Sequence, residues 1–163
     1  MNGGAGGDAG PSRSGGNPTG YADAVKLVVI GCGRVGASLA REFAAEGWDV
    51  TAVDEKEEAV TRLGSGWAGG FVVGHGMDAD ILRRADVADA DAVVVATNGD
   101  NTNLVIGQVA KKRYGVECVV VRVLDPARAA FYSERGMQIV CPTQHAIGTL
   151  AQTVRKTTGI LRV

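Results

Sequence analysis

The sequence has no excess of charge of either sign, no long apolar run and few cysteines, and each shortage narrows what the chain can be. Acidic and basic residues nearly balance at a formal net charge of -1, with 45% hydrophobic and 21% charged residues, the balance of a water-exposed globular chain. This argues against a nucleic-acid binder, which would carry a basic excess. The longest apolar stretches, such as 27–30 and 92–96, fall far short of the roughly 20 residues that span a bilayer. Three cysteines, Cys32, Cys118 and Cys141, are an odd number without metal-ligand spacing or a disulfide framework, which fits a reducing compartment. No Tyr-x-x-x-Lys pair occurs, so one common proton-donor arrangement of oxidoreductases is missing.

The 163 residues have room for one core and little room for a second. Residues 1–24 are rich in Gly, Ser, Asn and Pro, with almost no large apolar side chain to repay the entropy of ordering, and are expected to be a disordered tail. From Lys26 onward, Val/Ile-rich runs alternate with segments of helical period. The runs lie at 26–31, 49–54, 70–74, 92–97, 117–122 and 138–141. Apolar nearly throughout, they read as strands of a parallel sheet covered on both faces. The expected fold is therefore α/β, a doubly wound Rossmann-like parallel sheet of about six strands, occupying residues 25–163.

Helical period is carried by Val35, Leu39 and Phe43 before Gly47, and by 103–113 before Gly115. Shorter helices are expected over 57–63, 80–84 and 126–134. After Pro142, Ile147, Leu150, Ala151 and Val154 stand at i, i+3, i+4 and i+7 and form one apolar stripe. Two covers are open to that stripe: the chain's own sheet or a second subunit.

Gly31-Cys32-Gly33-Arg34-Val35-Gly36 follows the first strand and opens the first helix. In that context the first glycine permits a tight turn, the second lets backbone approach a pyrophosphate, and the third lets helix and strand pack closely. The helix N-terminus adds free N–H groups and partial positive charge. Asp54 ends the second strand about twenty residues on, where a carboxylate accepts hydrogen bonds from ribose hydroxyls. Its charge favours NAD or an adenine nucleotide over NADP, whose 2'-phosphate it would repel; capping the segment near Glu57 is its other open role. Arg34 can reach a phosphate or stand in solvent. Thr97 and Asn98 end the fourth strand and Arg122 the fifth, on the edge where open α/β sheets bind ligands, with pairing to Asp125 also open to Arg122. Asp100 and Asn101 read as caps of the next helix. His75, between Gly74 and Gly76, suits an adenine or phosphate contact or simply finishes a turn; His145 reads as a surface or interface residue. Cys32 reads as a small side chain filling the turn, with redox sensing the lesser alternative.

Taken together, the glycine loop with Asp54, Gly74-His75-Gly76, Ala90-Asp91-Ala92, 100–103 and Arg122-Val123-Leu124-Asp125-Pro126 resemble a known family. It is the N-terminal nucleotide-binding domain of regulators of potassium conductance, the RCK or TrkA-N family of Trk-type uptake systems, over about residues 26–153. The resemblance implies a regulatory subunit and not an enzyme, cytoplasmic and peripheral to the inner face of the membrane, docked on a potassium transporter subunit. It implies NAD(H) or ATP/ADP held as a regulatory ligand by Gly31, Cys32, Gly33, Arg34, Val35, Asp54, Thr97, Asn98 and Arg122. It also implies a last helix, 143–157, that packs across a homodimer, with dimers assembling into a ring. Thr143 stands where some relatives carry a glutamate linked to cation binding, so no cation site is expected. Many relatives continue into a second ligand-binding domain, so the resemblance leads to the expectation of either a truncated or a short form. The competing reading is a small NAD-dependent oxidoreductase.

Overall fold

A computed structural model describes residues 23–159; the expected disordered tail lies almost wholly outside them. Six strands form one sheet: β1 (Lys26–Ile30), β2 (Asp49–Asp54), β3 (Gly70–Val73), β4 (Ala92–Val95), β5 (Cys118–Arg122) and β6 (Gln138–Val140). All five pairings are parallel, in the order β3-β2-β1-β4-β5-β6. The order reverses between β1 and β4, which opens a crevice at their carboxyl ends, the ligand edge of such sheets.

The strands are rich in Val because a β-branched side chain suits a pleated surface buried on both sides. Alternate residues of β1 show this: Val28 and Ile30 join one core cluster, Leu27 and Val29 the other. The second cluster is closed by α1 (Arg34–Ala45), through Ala37 and Ala40, and by a 3-10 segment over Glu57–Leu63. The first is closed by α2 (Ala79–Arg84) and by α3 (Asp100–Lys112), which contributes Leu104, Ile106 and Ala110. Helical segments therefore cover both faces, and the fold is the doubly wound Rossmann-like one.

Beyond shifts of a single residue, one helix type and two boundaries differ from the sequence pattern. Residues 57–63 form a 3-10 helix, not an α-helix: the Ala59 N–H donates to Lys56 O at 3.1 Å and the Gly64 N–H to Thr61 O at 3.2 Å. Those three-residue closures bring Ala59 and Leu63, both buried, under α1 within a very short span. The helix expected from residue 103 begins at Asp100, and β4 ends at Val95, which frees 96–99 as a loop over the crevice.

The last two helices are α4 (Pro126–Ser133) and α5 (Pro142–Thr158), each with proline in its first turn, where a missing N–H costs nothing. Among the described residues, helix α5 buries none of its own. Its stripe stands open, with Ile147 52%, Leu150 66% and Val154 61% exposed. Of the two covers the sequence left open, the chain's own sheet is not the one. His145 is exposed on this helix. No helix of the described residues is long and apolar enough to cross a membrane.

Candidate functional site

A cleft of about 280 Å³ runs along the strand tips. In sheet order its wall carries His75 beyond β3, Asp54 at the end of β2, Gly31 and Gly33 beyond β1, and Thr97 and Asn98 beyond β4. The glycine loop is shaped by two close approaches. Gly31 has φ +98°, and a Cβ there would stand 2.7 Å from the Thr97 nitrogen; a Cβ on Gly36 would stand 1.7 Å from the Gly31 carbonyl oxygen. Gly33 differs, since a Cβ there meets nothing within 4 Å. Its bareness leaves space on the cleft side for a ligand to meet the backbone.

Gly33 is also the N-cap of α1, without a side-chain cap and with no acidic residue in the first turn. The free N–H groups and partial positive charge at this terminus face an anion's position without a competing carboxylate from the helix itself.

Asp54 is half-buried, and its two oxygens are divided between two backbone donors. The Cys32 N–H donates to Oδ2 at 2.8 Å and the Lys56 N–H to Oδ1 at 2.9 Å. The carboxylate thus ties the glycine loop to the tip of β2, and each oxygen keeps a lone pair for a further donor such as a ribose hydroxyl. Lys56 and Arg62 line the same wall and were not singled out from sequence. Arg62 Nη1 donates to Cys32 O at 3.4 Å, which brings its charge beside the loop.

The remaining expected residues divide. Cys32 is wholly buried beneath the loop, and burial, with the Asp54 carboxylate beside it, pushes its thiol from 9.0 up to about 12. Such a thiol is a filler and not a redox sensor. Because the unfolded chain releases this proton first, stability is full below about pH 9 and falls as pH rises towards about 12. Urea unfolding of Cys32→Ala is expected to lack that alkaline component; identical pH profiles for both proteins would show that the thiol is not held protonated. Gly36 is buried as a packing residue, while Arg34 and Val35 are exposed on the first turn of α1, outside the cleft wall.

Arg122 turns inward. Its Nη2 donates to Thr97 O at 2.7 Å, and its buried Nε has no hydrogen-bond partner. It does not pair with Asp125, whose carboxylate instead caps α4 by accepting from the Arg128 N–H at 2.7 Å. Asp100 and Asn101 do not cap α3, whose N-cap is Gly99. Asp100 accepts from the N–H groups of Leu124 and Asp125 at 2.8 and 2.9 Å, and Asn101 from Arg128 Nη1 at 2.8 Å. These bonds reach across to the segment after β5 and to the start of α4, and so tie the first turn of α3 to the neighbouring strand tip.

His75 is exposed on the cleft wall, and its Nδ1 accepts from the Met77 N–H at 3.2 Å. That bond leaves the Nε2–H as the group offered to a ligand.

Comparison with known proteins agrees with this geometry. Residues 27–142 match the family model described as the TrkA-N domain. The chain is 40% identical over 114 residues to a Trk system potassium uptake protein TrkA of Streptomyces coelicolor, covering 70% of this chain and 51% of that protein. It is 31% identical to a Trk system potassium uptake protein TrkA of Vibrio alginolyticus, over 76% of this chain and 27% of the relative. The chain thus spans about half or less of the length of these two relatives. Among solved structures, the Kef C-terminal domain of Shewanella denitrificans in its AMP-bound form superposes with a TM-score of 0.71 at 22% identity, over 82% of each chain. The match covers all six strands but for the first residue of β1, together with the whole cleft, and the chain belongs to the TrkA-N domain family.

Proposed function

We propose that this chain is the nucleotide-sensing part of a potassium uptake system. It binds NAD(H) or an adenine nucleotide as a regulatory ligand and passes its state to a membrane transporter subunit from the cytoplasmic face. The carrying observation is the cleft itself: an uncapped helix N-terminus behind an open Gly33, with the Asp54 carboxylate one strand away. Phosphate at the helix and ribose at Asp54 is the arrangement this geometry supports. Three structural neighbours carry nucleotides in their descriptions, AMP for the Kef domain and ADP and NAD for two GsuK structures. The relatives are named as components of a transport system, which supports binding without chemistry.

Helix α5 is the proposed assembly element, its stripe covered by the same helix of a second copy. Burying the remaining exposed surface of Ile147, Leu150 and Val154 on both copies supplies about 1–2 kcal/mol per side chain towards a C2 contact. Nucleotides that prefer different arrangements of the dimer shift which one the transporter meets.

Calorimetry with ATP, ADP, AMP, NAD and NADH, together with small-angle scattering, tests both parts. Affinities are expected to differ between ligands, with distinct scattering profiles, and Leu150→Glu is expected to yield a monomer that still binds nucleotide. Equal affinities with one scattering profile throughout would sink the sensing role.

A further inference from the structure

The two halves of the cleft are built differently. On the β2 side the residue facing a ligand, Asp54, bonds the loop directly. On the β4 side Thr97 owes its place to a residue that never reaches the cleft, Asn103, which is 1% exposed in the first turns of α3.

The Asn103 amide makes four hydrogen bonds. Its Oδ1 accepts from the Thr97 N–H at 3.0 Å and from the Thr97 hydroxyl; its Nδ2 donates to Thr97 O and to Arg122 O, each at 2.9 Å. Both lone pairs and both N–H groups are used, so the amide has one orientation only. Through it, a single buried side chain fixes the nitrogen, hydroxyl and carbonyl of Thr97 and joins the β4 tip to the β5 tip.

A mononucleotide with ribose at Asp54 and phosphates at α1 ends at the glycine loop. A dinucleotide must continue past the point where the strand order reverses, to the tip of β4. We infer that Asn103 is a positioning residue that sets how strongly the cleft holds dinucleotides relative to mononucleotides, by keeping Thr97 and Asn98 in place for the ligand's second half. The inference rests on the nucleotide reading above and extends it.

Asn103→Asp is the sharpest test, because it keeps the shape but turns an oxygen towards the carbonyls of Thr97 and Arg122, which must then move apart. Titration of wild type and variant with AMP and NADH is expected to show NADH weakened about tenfold and AMP changed less than about twofold. A merely structural role would not alter that ratio. If Asn103→Asp does not fold, Asn103→Gln, which keeps the amide but displaces it by one methylene, is expected to shift the ratio the same way. Equal losses for both ligands, or no loss for either, would overturn the role of Asn103 and leave the nucleotide reading standing. A wild-type chain that binds neither ligand would overturn both.

Discussion

Gly36→Ala is expected to lower the unfolding free energy by about 3 kcal/mol, the upper range for forcing atoms into a filled site, and to abolish nucleotide binding. The added Cβ would stand 1.7 Å from the Gly31 carbonyl oxygen, a backbone atom that cannot rotate aside. Gly31 is itself confined, since its nitrogen donates to Val53 O at 2.7 Å and its own face lies against the backbone of Ala96 and Thr97. Helix α1 must therefore lift from β1, in the middle of the sheet, opening the cluster around Ala37 and Ala40. A thermal melt should fall by roughly 10 °C. Gly33→Ala is the matching control: with nothing within 4 Å of its Cβ, it should melt like the wild type while losing affinity for phosphate-bearing ligands. A Gly36→Ala protein that melts at the wild-type temperature would show that the helix does not need this contact.

The second large effect belongs to Asp54. Asp54→Ala removes the acceptor from the Cys32 and Lys56 N–H groups as well as from a ribose. Its cost to the affinity of any ribose-bearing ligand is expected to be about 1.5–3 kcal/mol, or roughly ten- to a hundredfold. Asp54→Asn keeps one acceptor oxygen and should fall between wild type and Asp54→Ala. Calorimetry that finds unchanged affinity in both variants would remove Asp54 from the site.

Much of this was legible from sequence for a physical reason. Strands buried on both faces must be apolar throughout, so the Val-rich runs announce themselves, and a loop whose backbone must crowd other backbone has to spend glycines at set intervals. Arg122 illustrates what was not legible: the strand's end is visible from the pattern, but the direction of a long side chain is decided by the acceptors around it, here Thr97 O. Asp100 is similar, its partners lying 24 and 25 residues away. Asn103 did leave a trace. It shares an i, i+3, i+4, i+7 stripe with Ile106, Gly107 and Ala110, all buried, and a polar residue on a buried stripe must find hydrogen-bond partners inside. Lys56 and Arg62 left none, because a basic residue after a strand end or on a short helical segment reads the same whether it faces solvent or a cleft.

Helix α5 has 17 residues and buries none of them against the other described residues. A helix of about that length is only marginally formed in water by its backbone bonds alone. Under the dimer proposed above, its coil and helix populations depend on whether a second copy covers it, so helicity in this segment is expected to rise with protomer concentration. Dilution is then expected to unwind it while the sheet stays intact, and a ligand that raises the affinity between copies is expected to raise the helical content of residues far from the strand tips. In that reading the helix is a gauge of association, written in secondary structure.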